Sequence, residues 1–553
     1  MQELNRLTVV DFFCGAGGFS EGFRRAGYDV IMGIDVWQPA IITHNFNHGL
    51  NDNVKSVLDF EDIEEINKLP DTDIIIGSPP CQLFSLSNQG GNANKDSGIN
   101  LIKTFYKVIA VKKFQKNSKL KAWLMENVPN SQNYVQEEYT FEELGLYNWA
   151  ISQDLNPKSI AIKSKYNGGV LHADDYGAAQ ARRRFVSGEI TKTGEFPFPD
   201  RVAKEKVTLN KLFRNFPDPL DQSPVEFVTD PNYPNESLKF EDFKDHFYDT
   251  GVYQVQWQKA RDLKQRHPYM GKMSFPEDMN KPSRTIMATQ SASTREAILY
   301  KSSYDRVGDG EYRLPTVREA ACIMGYPLDY QFFGDESTKW RQVGNAVCVQ
   351  LSFALAIKIL ELIKFPKLPA KVIDKEINQF KYLDSKKLRE FNNPPTRSEK
   401  ALFRQFPIKS GNMTVDLTNK VNGESGNWGV VAHAGTGKGF KSIIISRSNQ
   451  MEAKKLLRKL KPDLIEELKN NEILRKYSIK QLNLENKKYG FFPDDVSHPY
   501  YIINYIGKLI YNHIDNNDIE VDVSGTEFTR LKDKIPLSQL MSIYLVPIII
   551  YGK

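Results

Sequence analysis

Apolar and polar positions come in blocks along the N-terminal third of the chain. Short runs of β-branched and apolar residues end on a glycine or a polar side chain, and apolar positions return at helical spacing between them. Leu7 to Phe13 is the first run. It gives way to Cys14-Gly15-Ala16-Gly17-Gly18, then to Phe19 through Ala26, which has the spacing of a helix closed by Gly27. Tyr28 to Ile34 predicts a second strand ending at Asp35, Val54 to Phe60 a third that contains Asp59, and Asp73 to Ile76 a fourth. A fifth, Ala122 to Met125, delivers Glu126-Asn127-Val128-Pro129. Strand, glycine turn and helix in succession predict an open α/β sheet whose reacting groups stand at the carboxyl ends of the strands.

Further along, Leu83 to Gly98 is rich in Ser, Asn, Gly and Gln without an apolar period and reads as a surface loop or lid, while Leu101 to Phe114 has helical spacing. Tyr147 to Leu155 and Ser159 to Lys165 read as a strand-rich pair. If Arg182 to Phe185 is extended, Gln180, Arg182 and Arg184 share one face and Arg183 points the other way. Thr191 to Asn280 is rich in Pro, Asp, Asn and aromatics and has little periodicity. Within it, Trp257, Lys259, Arg261, Lys264, Arg266 and His267 suit phosphate and base-edge contacts, with a plain exposed helix as an equal reading. Val349 to Ile363 carries a strong apolar stripe and predicts a core helix. Phe365 to Pro369 reads as a boundary linker and Asn392 to Thr396 as a second break. Beyond these, Trp428 to Ala432 and Ser442 to Ser446 predict strands, Glu452 to Leu474 an amphipathic helix, and Tyr544 to Tyr551 a terminal strand.

A length of 553 residues exceeds one ordinary core and implies two or three domains. Hydrophobic content of 40% and charged content of 26% are those of a soluble globular chain. No stretch reads as a bilayer span, and the opening MQELNRLTVVDFF enters a strand without a signal-peptide layout, so a cytoplasmic location is expected. The net charge of +6 is compatible with a polyanionic partner without demanding one. Cys14, Cys81, Cys322 and Cys348 have neither disulfide nor zinc spacing, so reduced thiols and no metal site are expected.

Cys81 stands out among them. In Ser78-Pro79-Pro80-Cys81-Gln82 an apolar strand ends in Gly77 and two prolines stiffen the turn that presents the thiol. At the end of the second strand, Asp35 has the position of a ribose-binding acid, and the glycines after the first strand allow close approach of a ligand to the backbone.

Together these blocks carry a resemblance. DFFCGAGGFS, SPPCQ, ENVPN, QARRRF, KPSRTIMAT, LPTVREAACIMGYP and QVGNAV follow one another in an order that resembles the DNA (cytosine-5)-methyltransferases of bacterial restriction-modification systems, over about residues 8 to 363. The resemblance implies S-adenosylmethionine as methyl donor and a doubly wound methyltransferase fold with an inserted target-recognition domain. The implied arrangement is catalytic at 1–190, target-recognition at 191–280, a return to the catalytic domain at 281–365, and a separate C-terminal α+β domain at 366–553. The chemistry asks for these residue types. C5 of cytosine becomes nucleophilic only after a thiolate adds at C6, a role the resemblance implies for Cys81. By resemblance Glu126 holds N3 and the exocyclic amino group, and Arg182 and Arg184 contact the base carbonyl and order the pocket. Gln82, Ser85 and Gln180 would contact a DNA duplex from which the cytosine is flipped. Phe12, Gly15, Gly17, Gly18, Asp35, Asp59, Phe60, Pro79, Leu101, Asn345 and Val347 would form the cofactor site. A cognate restriction endonuclease is the implied partner.

Residues 366–553 lie outside the resemblance. Ala432-His433-Ala434-Gly435-Thr436-Gly437-Lys438-Gly439 is similar to a phosphate loop but lacks the leading glycine and the hydroxyl after the lysine. An accessory DNA-binding or assembly module is the expectation for this region. A fused nuclease is the alternative, with Asp416, Glu424, Glu520 and Asp522 as candidate metal-binding acids.

Overall fold

In the computed structural model the described residues are 5–80, 95–202, 205–220, 225–265, 272–303, 312–374, 403–421, 424–435, 439–474, 499–514 and 518–551. The β-branched runs form strands β1 (Thr8–Phe12), β2 (Asp29–Ile34), β3 (Ile74–Gly77) and β4 (Ala122–Asn127). A small pair, β5 (Glu138–Thr140) and β6 (Ile160–Lys163), follows, then β7 (Gly168–His172) and β8 (Arg183–Ile190). The main sheet has the order β2-β1-β3-β4-β8-β7. β1 to β4 are parallel, and β8 and β7 close the edge antiparallel. The chain leaves β1 toward β2 and then crosses to β3 on the other side. The strand order therefore reverses at β1/β3, where open α/β sheets form their ligand crevice.

Helices α1 (Gly18–Arg25), α2 (Gln38–His48), α3 (Ile63–Asn67), α4 (Lys95–Phe114), α5 (Tyr147–Ser152), α6 (Leu209–Leu212), α7 (Gln254–Gln265), α8 (Val317–Ile323), α9 (Glu336–Asn345) and α10 (Val349–Leu362) complete this unit. Phe19 and Phe23 of α1 and Leu351 and Leu355 of α10 pack with Val9 and Ile76 in one core cluster, while Phe105 and Ile109 of α4 pack with Val10 and Ile75 in another. The sheet is thus buried on both faces, which explains why its parallel strands read as unbroken apolar runs.

Several expectations are corrected. Val54 to Phe60 is a 3₁₀ turn over Val57–Glu61, because Ser56 and Asp59 form a reciprocal capping box. Tyr147 to Leu155 is helical at Tyr147–Ser152 and only its neighbour forms a strand. Helix α4 begins at Lys95, inside the expected loop. The stretch Glu336–Leu362 is long and apolar enough to count as a membrane span, contrary to expectation, but it is two helices whose apolar window is 72% buried within the protein. Past the expected boundary at Phe365 the described chain keeps contacts with the first unit. Arg6 and Arg24 donate to the carbonyls of Pro369 and Lys371, and Lys371 pairs with Asp29, so the chain stays bound to the first unit.

The described chain divides into two compact units, one of 1–252 with 256–389, the other of 390–553 with 253–255. The second contains β13 (Arg404–Gln405), β14 (Lys409–Ser410), β15 (Met413–Val421), β16 (Glu424–Ala434) and β17 (Lys441–Ile444), numbered after the short pairs β9 (Phe227–Thr229) with β10 (Ser237–Lys239) and β11 (Tyr300–Lys301) with β12 (Tyr312–Arg313). This antiparallel sheet turns Met413, Val415, Leu417, Val430 and Ala432 onto α11 (Arg447–Leu460), α12 (Pro462–Asn470), α13 (Pro499–His513) and α14 (Leu537–Leu545). The expected helix Glu452 to Leu474 is broken before Pro462, which lacks the N–H a continuing helix needs. The expected terminal strand is the end of α14 followed by α15 (Ile548–Tyr551). Tyr544, Leu545, Val546 and Ile548 are all buried there, which erases the period that separates helix from strand.

Candidate active site

Phe12, Ile34, Gly77 and Met125 occupy one row across β1 to β4, so the residues after them emerge along a single edge. Strand β8 runs against β4 with Val186 opposite Glu126 and Phe185 opposite Asn127, which returns Arg184 to that edge. The expected alternation holds: Gln180, Arg182 and Arg184 are buried, Ala181 and Arg183 exposed.

Glu126 is buried, and its Oε1 lies 2.8 Å from Arg184 Nε. The contact is an ion pair rather than an aligned hydrogen bond, leaving Oε1 without a hydrogen-bond donor. Burial pushes the Glu126 carboxyl above its ordinary range, and Arg184 and Arg182 oppose the shift without cancelling it. Next to it, Asn127 donates from Nδ2 to the carbonyl of Pro79 at 3.1 Å. The strand end bearing Glu126 is thereby bonded to the turn that precedes Cys81. Cys81, Gln82 and Ser85 lie outside the described residues. The described cysteines, Cys14, Cys322 and Cys348, are free and buried, and burial pushes all their thiols up, so none is a ready nucleophile.

Two expected site residues turn inward. Arg182 donates to the carbonyls of Ile286 at 3.1 Å, Gly344 at 3.0 Å and Ala346 at 2.9 Å, and so clamps segments distant in sequence. Gln180 was expected at DNA. It is fully buried, accepts from the N–H of Ile286 at 3.3 Å and donates to Met324 Sδ at 3.1 Å. In the recognition region, Trp257 and Lys264 face inward from α7, and Lys264 Nζ lies 3.3 Å from Glu277. Arg266 and His267 lie outside the described residues.

On the cofactor side, Asp35 Oδ2 accepts from Gly15 N–H at 2.9 Å and Oδ1 from Trp37 N–H at 2.8 Å. These bonds fix the carboxylate at the glycine turn, and each oxygen keeps a lone pair for a ribose hydroxyl. Gly15, at φ +52°, borders open space; a Cβ there would meet only Phe13 O at 4.0 Å. Gly17 and Gly18 instead permit close packing. A Cβ on Gly17 would fall 2.5 Å from Tyr330 Oη, and one on Gly18 would strike the Val347 carbonyl. Tyr330 in turn donates to the Ala16 carbonyl at 2.5 Å, holding the turn from below. Asn345 is exposed beside this region and Val347 is buried. Asp59 is exposed, with Oδ2 accepting from Ser56 N–H at 3.2 Å.

Phe12 and Phe60 are fully buried, edge to face at 5.5 Å, beneath this region. Pro79 is buried and Leu101 half-buried over the same core. Sequence reading passed over Phe13, half-buried at φ +55°, and Val36, 65% exposed next to Asp35. Strand alternation was the available signal, since the residue after Phe12 must face the other way. It also missed the buried support of Asp11, Ser20 and His44, in which Ser20 Oγ lies 2.6 Å from Asp11 and 3.0 Å from His44 Nε2. An open glycine, an anchored carboxylate and the exposed Asp59 and Val36 fit the ribose, adenine and cationic sulfonium of S-adenosylmethionine.

Type II methyltransferase M.MthTI of Methanothermobacter thermautotrophicus is 29% identical over 371 residues, covering 64% of this chain and 97% of that protein. M.HgiDI of Herpetosiphon aurantiacus is 26% identical over 377 residues, covering 66% and 97%. The solved S. pombe Dnmt2 methyltransferase aligns at a TM-score of 0.42 and 15% identity, covering 65% of this chain and all of that one at 100%. With the sequence model described as C-5 cytosine-specific DNA methylase matching residues 7–361, the chain belongs to that family, whose methyl donor is S-adenosylmethionine.

Proposed function

We propose that the chain is the modification enzyme of a type II restriction-modification system, methylating C5 of a cytosine that is flipped out of a specific duplex sequence. Type II methyltransferases are the relatives it resembles across nearly their whole length. The observation that carries the reading is the buried Glu126 carboxyl at 2.8 Å from Arg184, bonded through Asn127 to the turn that presents Cys81.

The Cys81 thiolate adds to C6, and the ring electrons shift toward C5 and N3. Glu126, whose carboxyl holds its proton to higher pH than usual, donates toward N3 and accepts from the exocyclic amino group. Because thymine lacks that amino group, the same contact selects cytosine. Arg184 steadies the carboxyl, and Arg182 braces the strand end from behind. Asp35 and Gly15 hold the cofactor's ribose end, Asp59 and Val36 its adenine, and Asn345 the far side of the crevice. The cofactor supplies the methyl group that C5 attacks. A base then removes the C5 proton, the C6–S bond breaks, and the thiolate returns to Cys81. The target base is unreachable in a stacked duplex, which is why flipping belongs to the proposal. The region 191–280 is proposed to choose the sequence.

Incubation with methyl-labelled cofactor and mixed duplex DNA, followed by bisulfite sequencing, tests this. Label confined to cytosines in one short context is expected; label on adenine, or on cytosine without regard to context, overturns it. No observation favours the fused nuclease. Asp416 is buried against Arg404 and His433, whereas Glu520 and Asp522 stand exposed on a short strand pair (Glu520–Asp522 with Lys534–Pro536). Among the described residues no group of three metal-binding side chains forms.

A further inference from the structure

Within the C-terminal unit a concavity of about 360 Å³ opens among Arg404, Phe406, Lys409, Thr414, His433 and Phe440, a size in the range of small-molecule sites. Thr414 and His433 pair directly across β15 and β16 and alternate with the buried Met413, Val415, Ala432 and Ala434. The concavity therefore lies on the sheet face turned away from the helices.

Two features distinguish this face from an ordinary solvated one. The first is Asp416, fully buried, with Oδ2 at 2.7 Å from Arg404 Nε, 2.6 Å from Arg404 Nη2 and 3.0 Å from His433 Nε2. A buried charge contact of this kind adds little to stability over apolar packing, but it does fix the direction of the groups it holds. Arg404, its side chain 51% exposed, presents the remainder of its guanidinium outward. The second is aromatic. The Phe440 ring, 53% exposed, stacks on His433 at 5.4 Å and 26°, and Phe406 is 44% exposed across the same concavity.

His433, Gly435 and Phe440 belong to or adjoin the glycine-rich stretch that is similar to a phosphate loop. Strand β16 pairs antiparallel with β17, so the stretch spans a hairpin and not the strand-to-helix turn that nucleotide hydrolysis requires. Gly435, at φ +85°, lets the two ends of that hairpin close: a Cβ there would strike the Gly439 carbonyl. Of that stretch, His433 and Gly435 line the concavity, with Phe440 just beyond it in sequence.

We propose that this concavity binds one nucleotide unit, its phosphate on Arg404 and Lys409 and its base stacked at Phe440 and His433. Phosphate alone would engage the cations and leave the exposed Phe440 ring stacked on His433 without a role. Planar π-faces beside a positive groove are the chemistry by which single-stranded nucleic acid is held without regard to sequence. A free nucleotide offers the same groups, and the two sources are separable by experiment.

The full chain, saturated with S-adenosylhomocysteine to occupy the cofactor site, is titrated with thymidine monophosphate, which is not the methylated base. Saturable binding is expected, weakened about tenfold by Phe440→Ala through lost stacking. Lys409→Ala is expected to weaken it comparably and to reduce its salt dependence. Thermal melting and methyl transfer at saturating DNA should be unchanged in both. Tighter binding of an oligo(dT) strand, sensitive to the same variants, assigns the site to nucleic acid; equal affinity for strand and mononucleotide assigns it to a free nucleotide. The proposal is overturned if neither probe binds, if both variants leave binding intact, or if inorganic phosphate binds as tightly as thymidine monophosphate.

Discussion

Replacing Glu126 with Gln separates catalysis from stability at this site. Burial raises the carboxyl's pKa despite Arg184 and Arg182, so the folded protein holds the charged form less comfortably than water does. The sign follows from linkage. A raised carboxyl contributes stability that is fully present below the ordinary carboxylate range and is lost as pH rises through the raised value. Glutamine is neutral at every pH and keeps an oxygen facing Arg184, so at pH 7 to 8 the variant should melt no lower than the parent, the difference in its favour having built up as pH rises from the ordinary carboxylate range through the raised value. Turnover should move the opposite way. A positioned acid contributes about 10²–10⁴-fold, which is about 2.7–5.4 kcal/mol of transition-state stabilisation at about 1.36 kcal/mol per decade. Single-turnover methyl transfer and thermal melting on the same preparations read both quantities. A variant that keeps more than about a tenth of the parent rate, or that melts well below it at neutral pH, would refute the reasoning and make Glu126 a structural partner of Arg184.

Cys81→Ser should abolish turnover while cofactor affinity stays nearly intact by calorimetry; equal loss of both would mark Cys81 as structural. Asn127→Ala removes the bond to the Pro79 carbonyl and should cost about 1 kcal/mol in stability, with a larger fall in kcat than in cofactor affinity because the nucleophile's turn loses its tie to Glu126. Asp11, raised to about 8 by burial, withdraws stability as pH climbs from about 4 to 8, by up to about 1.4 kcal/mol per pH unit. Asp11→Asn should therefore flatten the decline of melting temperature over that window, and an unchanged decline would place the titration elsewhere.

Much of the site was legible because a parallel sheet buried on both faces turns sequence into geometry directly. Each apolar run had to be a strand, and the polar residue after it had to stand on the sheet's carboxyl edge, as Asp35 and Glu126 do. Alternation likewise paired Arg182 with Arg184 on one face before any contact was known. Runs without such a constraint misled. Val54 to Phe60 was decided by the Ser56–Asp59 capping box, a signal present in the sequence but outweighed by β-branched composition. Tyr544 to Tyr551 carried no usable signal, since burial on every side leaves no period to read.

By itself, then, the sequence determined that the apolar runs of β1 to β4 are strands, which polar residues follow or end them, and the chemistry those residues can perform. Only the tertiary structure decided which of them meet. Arg182 and Arg184 share a face, yet one is taken up by the carbonyls of Ile286, Gly344 and Ala346 while the other reaches Glu126. Gly15 opens on the crevice, but Gly17 and Gly18 are packing positions set by Tyr330 and Val347. Periodicity reports the direction in which a side chain leaves the backbone. What it touches depends on partners distant in sequence, brought there by burial of the core as a whole.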